Sequence, residues 1–91
     1  MKDLKNSKTE ANLMAAFSAE SMARVKYGFY ANKAREDGYE QIGNIFDETS
    51  DNENEHAEIW FKILSGGAVP DTLDNLEDAA NGERYEWTDM Y

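Results

Sequence analysis

Apolar residues recur at intervals of three and four along two long stretches of this chain, and a lone glycine, Gly38, separates them. Leu13, Phe17, Tyr27, Ala31 and Ala34 mark the first stretch, with Glu20 and Arg24 occupying the intervening steps. Ile42, Ile45, Phe46, Thr49, Trp60, Ile63 and Leu64 mark the second, interrupted by Glu53 and His56. Side chains spaced in this way share one face of an α-helix. With 91 residues, a single proline and no β-branched run, the chain has room for one small helical domain and gives no sign of a sheet. The expected fold class is all-α.

The helix boundaries are written in capping residues. Ser7-Lys8-Thr9-Glu10 reads as a capping box that opens the first helix. That helix is expected to run to about Asp37, roughly 42 Å at 1.5 Å per residue, with Gly38 as its stop. The second helix is expected from about Tyr39 to Leu64, ending at Gly66-Gly67. So short a connection at Gly38 predicts antiparallel packing. Ala68 to Asp71 read as a loop. A third helix is expected from near Thr72, weakened by Asn81-Gly82 and still running at Tyr91. Its stripe is Leu73, Leu76, Ala80, Glu83, Trp87 and Met90, flanked by Glu86.

Charge and cysteine usage narrow the partners. A net charge of −10 argues against nucleic acid or acidic membranes. The absence of cysteine removes disulfides, iron–sulfur clusters, Cys-ligated zinc and rubredoxin-type iron from these residues. No stretch is apolar over a membrane-spanning length, and the N-terminus lacks the apolar core of a signal peptide. A soluble cytoplasmic protein is therefore the expectation.

Each helix carries a carboxylate on its apolar side: Glu20 on the first, Glu53 on the second, Glu83 and Glu86 on the third. Glu53 and His56 form a Glu-x-x-His pair, and positions i and i+3 share a helix face, so one carboxylate and one imidazole can grip the same ion. Each residue taken singly has a plainer explanation. Glu20 is then a boundary acid paired with Arg24, Glu53 a solvated helix glutamate, and His56 a boundary histidine bonded to a neighbour. Glu83 and Glu86 are then part of an acidic surface, and Tyr27, Trp60 and Trp87 are core. Taken jointly, converging carboxylates on apolar faces repel one another and resist burial unless a cation holds them. A donor set rich in carboxylate, with imidazole in the minority, suits iron or manganese better than structural zinc, and two adjacent ions are expected.

Several segments together resemble the N-terminal, ferritin-like part of rubrerythrins. They are Lys8-Thr9-Glu10-Ala11-Asn12-Leu13, Phe17-Ser18-Ala19-Glu20-Ser21, Ala23-Arg24-Val25-Lys26-Tyr27, Glu40-Gln41-Ile42, the Glu53 to His56 motif, and the tail from Gly82 to Tyr91. The resemblance covers essentially the whole chain and makes residues 1–91 a partial ferritin-like di-iron domain. It implies Glu20, Glu53, His56, Glu83 and Glu86 as ligands of two iron ions (manganese or zinc being other occupants), with Glu53 bridging. It further implies that Glu86 and His56 exchange as iron changes oxidation state, and that Tyr27 and Tyr91 hydrogen-bond ligand carboxylates. The implied catalytic residues are Glu53, His56, Glu86 and Tyr27. The implied reaction is reduction of hydrogen peroxide to water with electrons from two ferrous ions.

The chain departs from that family pattern in two respects. A second Glu-x-x-His on a fourth helix is absent, and so is a cysteine-ligated rubredoxin-like domain. Tyr91 lies inside a stripe, so a truncated form is expected, with an external rubredoxin-like electron donor. A helical hairpin plus a partial third helix cannot cover its own stripes, which predicts a homodimer or higher oligomer. Either two hairpins pair into a symmetric four-helix bundle, or helices are exchanged between chains so that Glu83 and Glu86 join the site. Two function classes follow. One is a di-iron oxidoreductase, as peroxidase or as iron-sequestering ferroxidase. The other is a non-catalytic helical fragment that only self-associates.

Overall fold

The structure is a computed structural model describing residues 4–90. It contains three α-helices and, among the described residues, no strand: α1 Lys8–Glu36, α2 Glu40–Leu64 and α3 Thr72–Tyr85, followed by a π-helical turn, Glu86–Met90. Ser7 caps α1 by accepting the Glu10 N–H at 3.0 Å, and the Glu10 carboxylate accepts the Asn6 N–H at 2.9 Å. The box is thus closed one residue earlier than its usual form. The Asn81-Gly82 pair does not interrupt α3, which continues to Tyr85. Tyr91 lies outside the described residues.

Both long helices end in the same hydrogen-bonded pattern. At the first stop, the Tyr39 N–H donates to the Ala34 carbonyl and the Gly38 N–H to that of Arg35, with Gly38 at φ 88°. At the second, Gly67 donates to Lys62 and Gly66 to Ile63, with Gly66 at φ 90°. This termination needs a left-handed residue, which glycine adopts at little cost.

The α1–α2 hairpin is antiparallel, as its cross-links show from end to end. Arg35 donates to Asp47 and, at 2.9 Å, to Asn44 near the turn. The Asp47 hydrogen bond raises the Arg35 pKa further above its ordinary value. In the middle, the Ser50 hydroxyl donates to the Arg24 carbonyl at 2.9 Å, and the Arg24 guanidinium donates to the Ser50 carbonyl at 3.2 Å. Toward the open end the Phe17 and Phe61 rings meet at 5.6 Å between centroids.

The seam itself is built from small residues. Ala31 and Ala34 of α1 and Gly43, Ser50 and Ala57 of α2 are the buried positions. A β-carbon at Gly43 would stand 3.2 Å from the Ala31 carbonyl oxygen and 3.0 Å from the Arg35 Cγ. Gly43 therefore permits the close approach of the two backbones. This corrects the expected α2 stripe: Ile42 and Ile45 are exposed flanking residues, and the seven-residue spacing Gly43–Ser50–Ala57 forms the contact line. An apolar period locates large side chains, whereas a tight seam selects small ones.

The third helix packs along neither α1 nor α2. The radius of gyration is 16.4 Å, against about 12 Å for a compact chain of this length. Among the described residues no helix is long and apolar enough to cross a membrane.

Candidate metal centre

The Arg24–Ser50 bonds set the register that builds the site. With residue 24 beside residue 50 in an antiparallel pair, Glu20, one turn earlier on α1, falls level with Glu53 and His56, one to two turns later on α2. One ligand atom from each of Glu20, Glu53 and His56 lies within 4.8 Å of the others. Two ligands of one ion at about 2.1 Å each stand at most about 4.2 Å apart, so modest side-chain rotation closes the group on a cation.

The polar accounting at Glu20 favours a cation there. Its Oε2 is buried and accepts no hydrogen bond, although the carboxylate side chain as a whole keeps 24% exposure. His56 Nδ1 stands at 3.6 Å, too long for a hydrogen bond and an ion pair only when the imidazole is protonated. A buried carboxylate oxygen without a donor is costly in the absence of a counter-charge. Arg24 does not supply one, which corrects the plain reading of Glu20: its guanidinium turns to the Ser50 carbonyl and to Asp51 at 3.5 Å. His56 is 55% exposed, so the site opens to solvent on the imidazole side.

Of the five expected ligands, the structure brings three together. Glu83 is exposed on α3 and Glu86 is half-buried at the start of the π-helical turn, and neither joins the group. Tyr27 lies about 10 Å along α1 from Glu20. There it stacks on Phe46 with centroids 6.0 Å apart and meets the edge of Tyr30 at 5.8 Å. Two participants escaped the sequence reading. Ser50 sets the register, and its only signal was a small residue at seven-residue spacing from Gly43 and Ala57. Trp60, read as core, buries its indole Nε1 without an acceptor, one turn beyond His56.

Comparison with known proteins identifies the family. The rubrerythrin family pattern matches residues 11–91. Rubrerythrin-1 of Clostridium acetobutylicum is 48% identical over 106 residues, covering 100% of this chain and 54% of that protein. Rubrerythrin of Porphyromonas gingivalis is 45% identical over 99% of this chain and 50% of its own length. Rubrerythrin of Nitratidesulfovibrio vulgaris is 44% identical over 100% of this chain and 53% of its own length. The chain spans about half the length of these curated relatives. With a family match over most of its residues and an all-helical hairpin carrying the Glu20, Glu53 and His56 group, this chain belongs to the rubrerythrin family.

Proposed function

We propose that this chain is the iron-binding helical part of a rubrerythrin-type oxidoreductase that reduces hydrogen peroxide. The convergence of Glu20, Glu53 and His56 within 4.8 Å, with Glu20 Oε2 buried and unpaired, carries the reading. Iron fits this donor set because carboxylate oxygens dominate it and no thiolate is present. When bound, a pair of ferrous ions supplies the two electrons that cleavage of one O–O bond consumes, and two protons complete the two waters.

The chain's own residues hold and orient the centre. Glu20 is fixed from α1 and Glu53 from α2, so tight ion binding requires the hairpin register to be kept. His56 stands at the exposed edge, where its imidazole can leave or re-enter the centre without disturbing the seam. Glu83 and Glu86 are the further ligands in this reading and reach the centre only by movement of α3 or from another copy. Tyr27, held by Phe46 and Tyr30, lies about 10 Å along α1 from Glu20 and outside the ligand group. The electron donor is external to these residues, a rubredoxin-like one-electron carrier in the cytoplasm.

Anaerobic ferrous loading followed by one equivalent of hydrogen peroxide tests the proposal. Expected is single-turnover oxidation of two irons per peroxide, faster than with dioxygen. Glu53→Ala is expected to lower iron affinity beyond the roughly hundredfold that changes outside the ligand shell reach. Faster oxidation by dioxygen would instead indicate an iron-sequestering ferroxidase. Equal thermal stability with and without iron would count against any metal centre, because a ligand of the native state raises stability.

A further inference from the structure

Two buried polar side-chain atoms of the hairpin lack a hydrogen-bond partner among the described residues: the Oε2 of Glu20 and the indole Nε1 of Trp60. One is an acceptor and the other a donor. Trp60 takes no part in the group formed by Glu20, Glu53 and His56. Burying an unpaired group of either kind is costly, so a native fold keeps one where something further completes it.

Helical geometry turns the two side chains toward one another. At about 100° per residue, Trp60 lies about 20° around α2 from Glu53 and about 40° from His56, on the ligand side of the helix. With residue 24 beside residue 50, Glu20 and Trp60 stand about 9 Å apart along the axis, Trp60 nearer the open end. Helical side chains lean toward the N-terminus of their own helix. In an antiparallel pair, Glu20 therefore leans toward the open end and Trp60 toward the turn, each into the interval between them. Ala16 and Ala57 stand at that level, with side chains that stop at the β-carbon and offer no polar atom.

We propose that Trp60 and Glu20 hold one small hydroxylic molecule between them, water at rest and hydrogen peroxide as substrate. Its oxygen accepts the indole N–H, and its own O–H donates to Glu20 Oε2. Water and hydrogen peroxide both carry donor and acceptor on one atom, which is what the two ends require. A carboxylate has about four lone-pair sites, so Glu20 can accept this bond and still bind a cation. The water half stands on the two buried atoms alone, and the peroxide half rests on the peroxidase reading. Dioxygen has no hydrogen to give Glu20, and a site built for a hydroxyl rejects an analogue that lacks one. Trp60 is thus a determinant of the preference for peroxide over dioxygen.

Proton NMR of the full chain without metal tests this, with Trp87→Phe leaving one indole N–H signal. Trp87 is 71% exposed on the π-helical turn, away from the hairpin. The Trp60 signal is expected to show a cross-relaxation peak to a bound water. Glu20→Gln keeps an acceptor oxygen and should keep that peak, whereas Glu20→Ala should lose it with helical circular dichroism retained. Hydrogen peroxide should shift the signal saturably, with affinity roughly tenfold weaker in Glu20→Ala, as loss of one hydrogen bond to a charged group implies. After ferrous loading, Trp60→Phe should lower the ratio of peroxide to dioxygen oxidation rates roughly fivefold. A Trp60 signal without a water peak, or with one equally strong in Glu20→Ala, overturns the proposal. A water peak with no response to peroxide overturns its substrate half. A peroxide-responsive signal in a chain that binds no iron supports the site and removes the di-iron reading. The water peak and its peroxide response decide the case even if Glu20→Ala fails to fold.

Discussion

The α1–α2 hairpin and α3 are both amphipathic and both open on recognisable caps, yet among the described residues only the helices of the hairpin pack along one another. Its two helices are tied near the turn by Arg35, in the middle by the reciprocal Arg24 and Ser50 bonds, and at the open end by Phe17 on Phe61. The third helix has a comparable cap, Asp71 accepting the Asp74 N–H at 3.1 Å, and the Leu73 and Leu76 of its stripe stay exposed. Local signals thus suffice to make a helix. A helix pair needs, in addition, small residues at the point of closest approach and polar groups that answer one another across it.

The largest effect that would collapse this difference is expected from Gly43→Leu. The new side chain meets the Ala31 carbonyl and the Arg35 side chain. Overpacking of that kind costs about 3 kcal/mol, lowering the melting temperature by more than about 10 °C in a chain of this size. Thermal circular dichroism checks it, and an unchanged melt would mean that the helices are farther apart in solution. Ser50→Ala comes next. It removes the hydroxyl bond to the Arg24 carbonyl and is expected to cost about 1 kcal/mol, read from urea unfolding.

Two changes in α3 sharpen the other side of the comparison. Asp71→Ala is expected to cost about 1 kcal/mol of local helix stability. Amide hydrogen exchange should show the loss in α3 alone, with α2 unaffected. Leu76→Ala is expected to shift global stability by less than about 0.5 kcal/mol, since the side chain is exposed. A loss above about 1 kcal/mol in the melting curve would show that α3 buries its stripe in solution, against its own hairpin or another copy.

Much of the hairpin is legible in the sequence itself. Ser7 and Gly38 mark the limits of α1, and Gly66-Gly67 closes α2 as expected, because capping depends on a few residues in sequence. The α1 stripe also held: Ala31 and Ala34 are buried, and Leu13, Phe17, Glu20, Arg24 and Tyr27 are partly so. On α2 the large residues misled. Phe46 and Trp60 sit beside the seam, but Ile42 and Ile45 stay exposed among the described residues. Apolar spacing says that a residue wants burial, and it does not say which neighbour provides it. The candidate site divides in the same way. Glu20, Glu53 and His56 depend only on the hairpin register, so their convergence followed from spacing. The placement of Glu83 and Glu86 depends on where α3 docks, which no periodicity encodes.

The reciprocal Arg24 and Ser50 bonds make the hairpin a measuring device. A slip of α2 by one residue along α1 would carry His56 about 1.5 Å along the axis and turn it about 100° out of line with Glu20. Bound metal would then respond to sliding far smaller than any change in helix content. In Ser50→Ala, the rate of iron release would report how often the two rods lose step, while circular dichroism would record no change at all.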